Sequence, residues 1–230
     1  MTENSEILTQ ATIAVRESAR RLRQRFSPDP DTRPTTVEAL MSALHANDEA
    51  VLELLRPRLT EIRPGAGWVE EEFEAGELPA GEWWVVDPAE GNINHVQGMP
   101  EWAVTATLVR DNEPMLTVVH LPLLDATYTA LVGHGARVDG RPLRVSEKTD
   151  LALSLVSTSQ AVPDPSPETL SAMSGGSAAM LRDALLVRVS VPASLHLANV
   201  AAEASKRSGS SRAPAPTCCR GRCSWPRRAA

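Results

Sequence analysis

At 230 residues, 42% of them hydrophobic and with a formal net charge of −6, the chain can build one large domain or two small ones around a packed core. No apolar run approaches the roughly 18 residues of a membrane span, and the opening Met1-Thr2-Glu3-Asn4 lacks the layout of a secretory signal, so a cytoplasmic protein with no membrane partner is expected. All 29 acidic residues fall within residues 1–203 against 16 Lys/Arg, which argues against a nucleic-acid polymer as partner and suits a site that gathers cations.

Residues 6–26 carry Ile7, Ala11, Ala14, Val15, Leu22 and Phe26 near helical spacing, which predicts an amphipathic helix that Ser27-Pro28-Asp29-Pro30 breaks. Thr35-Thr36-Val37-Glu38 reads as a capping box with Thr35 at the cap. The helix it opens runs through Leu40, Leu44, Val51, Leu54 and Leu55 and is expected to end near Pro57. Gly65-Ala66-Gly67-Trp68-Val69 and the acidic triplet Glu70-Glu71-Glu72 follow. From Trp83 the texture is β. Residues 102–109 and 115–121 read as strands about the turn Asp111-Asn112-Glu113-Pro114, and 127–132 as a third. Asp139-Gly140 is a hairpin signal. Residues 151–157 read as a buried strand, 166–180 as a helix, 185–189 as a strand, and 192–204 as a helix with proline in its first turn. Helices on either side of a mainly antiparallel sheet make a layered α+β protein. Residues 1–205 are expected to form the folded domain.

Chemistry concentrates in Trp83-Trp84-Val85-Val86-Asp87-Pro88-Ala89-Glu90-Gly91-Asn92-Ile93-Asn94. An apolar strand delivers two carboxylates, Asp87 and Glu90, into a stiff turn, and hard oxygen donors so grouped suit a divalent cation. Gly91 lets the backbone approach an anion closely. The same pattern also builds ordinary turns. Trp83, Trp84 and Trp102 read as core anchors. His95 and His196 are isolated histidines, a type that more often packs than ligates.

This stretch resembles the motif W-V-[IV]-D-P-[LI]-D-G-T-x-N-[FY] of the inositol monophosphatase family. Three further segments extend the resemblance in order. Gln97-Gly98-Met99-Pro100-Glu101-Trp102-Ala103-Val104 is similar to H-G-L-P-x-x-A-V. Leu123-Leu124-Asp125-Ala126-Thr127-Tyr128-Thr129-Ala130 is similar to P-x-x-D-E-x-Y-x-A, and residues 135–146 to G-A-x-x-N-G-x-P-L-x-V-S. The resemblance implies a layered α/β sandwich of the inositol monophosphatase and sugar phosphatase type. It further implies hydrolysis of a small phosphate monoester, such as an inositol phosphate, a sugar phosphate or a nucleotide 3′-phosphate, by a two-metal Mg²⁺ mechanism, and a homodimer.

Site roles follow from the same resemblance. Glu70 or Glu71 would ligate the first metal, Asp87 would bridge two metals, the Ala89 carbonyl would join the first, and Glu90 would bind the second. Gly91 and Asn92 would hold phosphate through their amides. Glu70 and Asn92 would orient the attacking water, and Asp48 corresponds to the aspartate of the family's T-x-x-D, with a solvated helix residue as the plain alternative. Three departures stand out. Glu90 is one methylene longer than the family's aspartate, Asn92 replaces a threonine, and no W-D-x-A-A-G follows Leu197-Ala198-Asn199. The C-terminal part is therefore expected to be lacking, and the alternative function is a catalytically impaired member that binds or dimerises. Residues 206–230, rich in Ser, Arg, Pro and Cys, read as a disordered tail or the product of a frameshift. Cys218, Cys219 and Cys223 lack the second pair or histidine of a metal site.

Overall fold

The computed structural model describes residues 2–69, 77–159 and 165–202, in two compact units that divide after Pro142. The segment 206–230 and its three cysteines lie outside the described residues. The first unit opens with helix α1 (Glu3–Arg25), whose residues Ile7, Ala11, Ala14, Val15, Ser18, Ala19 and Leu22 form one buried stripe. Helix α2 (Val37–Ile62) packs beside it. Its cap is Thr36, one residue beyond the expected Thr35, and the Thr36 hydroxyl accepts from the Ala39 N–H at 3.1 Å. The helix runs on through Pro57 for another turn and a half. Pro57 is exposed there, and so is Glu53, whose carbonyl a helical N–H at position 57 would have met.

The buried positions of α2 are Asn47, Val51, Leu55 and Leu59, a strict i, i+4 line. Its first member is polar. The apolar line that faces the sheet therefore begins with an asparagine, and that exception leads to the site.

Seven strands form one sheet in chain order: β1 (Gly67–Trp68), β2 (Glu82–Glu90), β3 (Ala103–Arg110), β4 (Glu113–Leu121), β5 (Ala126–Leu131), β6 (Gly135–Val138) and β7 (Arg141–Pro142). β1 runs parallel to β2, and every later pair is antiparallel. Asp111-Asn112 and Asp139-Gly140 turn their hairpins with positive φ at both residues, the backbone that matches strand twist and that Asn, Asp and Gly tolerate best. Trp84, Val104, Ala106, Leu108, Leu116, Val118 and Leu131 join the helix stripes in one core. Trp84 and Trp102 are buried as expected, whereas Trp83 is half-buried and its indole ring covers Gly67, where a Cβ would meet it at 2.5 Å.

Glu82, at the start of β2, pairs with Arg63 at the end of α2 and with Arg110 of β3. Those two guanidinium groups, Arg63 first, hold its carboxyl below the usual range. This clamp fixes the end of β2 remote from Asp87.

The second unit contains β8 (Leu155–Thr158) parallel to β9 (Leu186–Val189), with helix α4 (Pro167–Asp183) between them in the chain, and then helix α5 (Ala193–Ala202). The strand expected from residue 151 starts later because Leu151–Leu153 form a 3-10 turn, in which Asp150 accepts from the Ala152 N–H at 2.9 Å. Pro192 precedes α5 rather than opening it. Among the described residues no helix is long and apolar enough to cross a membrane.

Candidate metal and phosphate site

Residues three apart on a flat strand point to opposite faces. Asp87 and Glu90 escape that rule through a β-bulge. Asp87 pairs with Thr105 and Glu90 with Ala103, so three steps on β2 oppose two on β3. Thr105 and Ala103 share a sheet face, and their partners Asp87 and Glu90 therefore share it too, opposite the face that α1 and α2 cover. Pro88 suits the bulge because it has no N–H to leave unpaired. The Asp87 carboxylate accepts the Ala89 N–H at 2.9 Å, which stiffens the turn. The Ala89 side chain itself lies in the core.

Gly91 adopts φ 80° and ψ 31°, the left-handed region that glycine enters without a Cβ clash, and caps the short helix α3 (Asn92–Val96). The N–H groups of Asn92 and Ile93 open that helix and have no acceptor within it.

The Asn92 side chain turns away from the loop towards α2. Its Nδ2 donates to Asp48 Oδ1 at 2.9 Å and to the Leu44 carbonyl at 2.9 Å, while its Oδ1 accepts from Asn47 Nδ2 at 2.8 Å. Asp48 is thus tied to the loop instead of standing as a solvated helix residue. Burial is the main influence on its carboxyl and pushes it up from 3.8 to about 6, against the lowering effects of the Asn92 bond and the His45 charge.

His95 packs inside, between Phe26 and Trp102, with ring centroids 5.5 and 4.8 Å away. Its Nε2 donates to the Leu22 carbonyl at 2.8 Å, so Nδ1 is the acceptor for Asn47 Nδ2 at 3.0 Å. Burial lowers its pKa and the ring is neutral. In the second unit, His196 Nε2 lies 2.8 Å from Ser190 Oγ.

The expected ligands Glu70 and Glu71 lie outside the described residues, as does residue 72 of the acidic triplet. Among the described residues no three His, Cys, Asp or Glu side chains gather at metal-binding range. The donors present, the Asp87 and Glu90 carboxylates with the Ala89 carbonyl, fit a hard cation such as Mg²⁺ in kind. Composition and spacing alone did not single out Asn47. The signal that could have found it is the 47-51-55-59 line, polar at its first position and apolar after it.

The profile of the Inositol monophosphatase family matches residues 3–207. Histidinol-phosphatase of Mycobacterium tuberculosis is 38% identical over 125 residues, which cover 53% of this chain and 45% of that protein. Inositol monophosphatase 2 of Solanum lycopersicum is 34% identical over 116 residues, covering 48% and 44%. The chain spans about half the length of the curated relatives it matches. Among solved structures, Mycobacterium tuberculosis SuhB superposes with a TM-score of 0.69 at 22% identity, over 88% of this chain and 76% of that one. Inositol monophosphatase from Anabaena does so with 0.65 at 22% identity, over 86% and 71%. At such identity these two likenesses establish the layered α+β fold.

Proposed function

The chain belongs to the inositol monophosphatase family, and from that premise we propose that it hydrolyses a small phosphate monoester with Mg²⁺ as cofactor. The substrate class is an inositol phosphate, a sugar phosphate or a nucleotide 3′-phosphate. The observation that carries this reading is the bulge that turns Asp87 and Glu90 onto one sheet face directly before the Gly91 cap. Carboxylates, a carbonyl and main-chain N–H groups then succeed one another within six residues, in the order that a cation and a phosphate require.

Asp87, Glu90 and the Ala89 carbonyl would hold the cation, with Glu70 or Glu71 as the further ligand. Bound there, Mg²⁺ would lower the pKa of a coordinated water and neutralise charge on the phosphoryl oxygens. The N–H groups of Gly91 and Asn92 would orient the phosphate. Asp48, its carboxyl at about 6, would exchange a proton near neutral pH at the edge of the site. Glu70 and Asn92 would orient the water, as the family resemblance implies.

A second reading is binding without turnover. It is favoured by the complete use of both Asn92 amide hydrogens on Asp48 and Leu44, which leaves that side chain no donor for a water. Phosphate release during a Mg²⁺ titration separates the two. A homodimer, cytoplasmic residence and the lack of membrane and nucleic-acid partners belong to the same proposal, and sedimentation of the full chain tests the first of these.

A further inference from the structure

We propose that Asn47 is a positioning residue that holds the Asn92 carboxamide in one orientation, with the direction of the hydrogen bonds set by Arg25. This rests on the phosphatase reading above.

A guanidinium donates and never accepts. Arg25 Nε donates to Asn47 Oδ1 at 2.7 Å, so Asn47 must turn Nδ2 towards its other neighbours. That nitrogen has two hydrogens and two acceptors, Asn92 Oδ1 and His95 Nδ1. Asn92 is thereby fixed with its own Nδ2 on Asp48 Oδ1 and the Leu44 carbonyl. Flipping Asn92 alone would set its oxygen against two acceptors and its nitrogen against the Asn47 nitrogen. Flipping both amides would face Arg25 with a donor and would require a second proton on His95, whose Nε2–H is already committed to Leu22. One arrangement satisfies every group.

Burial raises the cost of any other arrangement. Asn47 and His95 are each 3% exposed, so an unmatched donor there has no water to turn to. Asn92, Asn47 and His95 thus form one polar set, in which each residue supplies the partner another needs. What position 92 keeps for a ligand is its main-chain N–H and the remaining lone-pair capacity of Oδ1.

The test uses the full chain with Asn47→Asp, which keeps shape and removes both donors. A carboxylate beside Nδ1 should leave His95 doubly protonated at pH 7 by ¹⁵N NMR. With Asn92 misoriented, kcat should fall about tenfold or more while KM stays within about threefold, the pattern of a misplaced group rather than lost binding. Arg25 is exposed and outside the apolar core, so Arg25→Met is the second, milder variant. It should lower kcat several-fold, and Arg25→Lys, which still donates, should restore most of it. Asn47→Asp with kcat within about twofold of wild type, or Arg25→Lys as impaired as Arg25→Met, overturns the proposal. The Asn92 side-chain NH₂ resonances need no turnover. If they move on Asn47→Asp while wild type releases no phosphate, the phosphatase reading fails and the positioning stands. If wild type releases phosphate and they do not move, the positioning fails.

Discussion

Asn92 and Asp48 meet side chain to side chain at 2.9 Å across 44 positions of sequence, joining the loop after β2 to the second helix. The motif position where the family has threonine is therefore filled by a residue that reaches the helix aspartate. An amide does so with two donors where a hydroxyl has one.

Reversion to the family residue should accordingly do harm. In Asn92→Thr a single O–H faces both Asp48 and the Leu44 carbonyl, and Asn47 loses its acceptor. We expect a loss of about 1–3 kcal/mol from partly buried groups left unmatched, read as a lower midpoint in thermal or urea unfolding. Any phosphate release should fall with it. An Asn92→Thr protein as stable as wild type would show that these bonds contribute little.

Asp48 should make the fold less stable as pH rises. Its carboxyl is pushed up from 3.8 to about 6, so between those values the folded chain binds more protons than the unfolded one. Stability is then lost with rising pH across that window, and the loss is complete above it. Asp48→Asn keeps an acceptor for Asn92 and removes the titration. It should melt higher than wild type at pH 7 to 8 and equally below the window. Equal melting at every pH would contradict the assignment.

His120 acts in the opposite sense. Burial first, and the Arg16 charge second, push it down from 6.5 to about 4. A histidine held neutral in the fold gives stability that is fully present above about 6.5 and is lost as pH falls towards 4. His95, lowered chiefly by burial, adds in the same direction. His120→Asn should flatten the acid side of a melting-temperature profile, where the two single variants at 48 and 120 separate the opposed contributions. An unchanged acid limb would remove His120 from the account.

Gly98 holds the junction between α3 and the end of α1. Its φ is +70°, and a Cβ there would meet the Ser27 carbonyl oxygen at 2.9 Å and Pro28 Cα at 3.3 Å. Gly98→Ala should destabilise by about 1–2 kcal/mol from the left-handed backbone alone, with the backbone contact adding to it. Because Asn94 Nδ2 also ties this turn to the Glu101 carbonyl at 2.9 Å, the loss should appear in global unfolding.

Most of the first unit was legible in the sequence because its signals are local. The spacing of Ile7, Ala11, Val15 and Leu22 and the Asp-Asn and Asp-Gly turns each specify structure within a few residues. Helix α2 runs past Pro57 to Ile62 because a proline on a solvent face leaves a carbonyl that water can satisfy. The cap moved from Thr35 to Thr36 because both hydroxyls precede a helical pattern, and only geometry chooses between them. Asp87 and Glu90 were found by residue type, yet their shared face comes from a bulge that spacing does not encode. Asn47 was missed for a related reason. Its role exists only where α1, α2 and α3 converge, and three contacts from two other segments leave no local trace beyond one polar residue in an apolar line.

Phosphate release from inositol, sugar and nucleotide monophosphates, followed as Mg²⁺ is titrated into the wild-type chain and into Asp87→Asn, bears most directly on the bulge as a cation and phosphate site. The account predicts saturable Mg²⁺-dependent release by wild type and a loss of about a hundredfold or more in Asp87→Asn, at an unchanged melting temperature. Folded wild-type protein that releases no phosphate at any Mg²⁺ concentration, or an Asp87→Asn protein that matches it, would contradict the account.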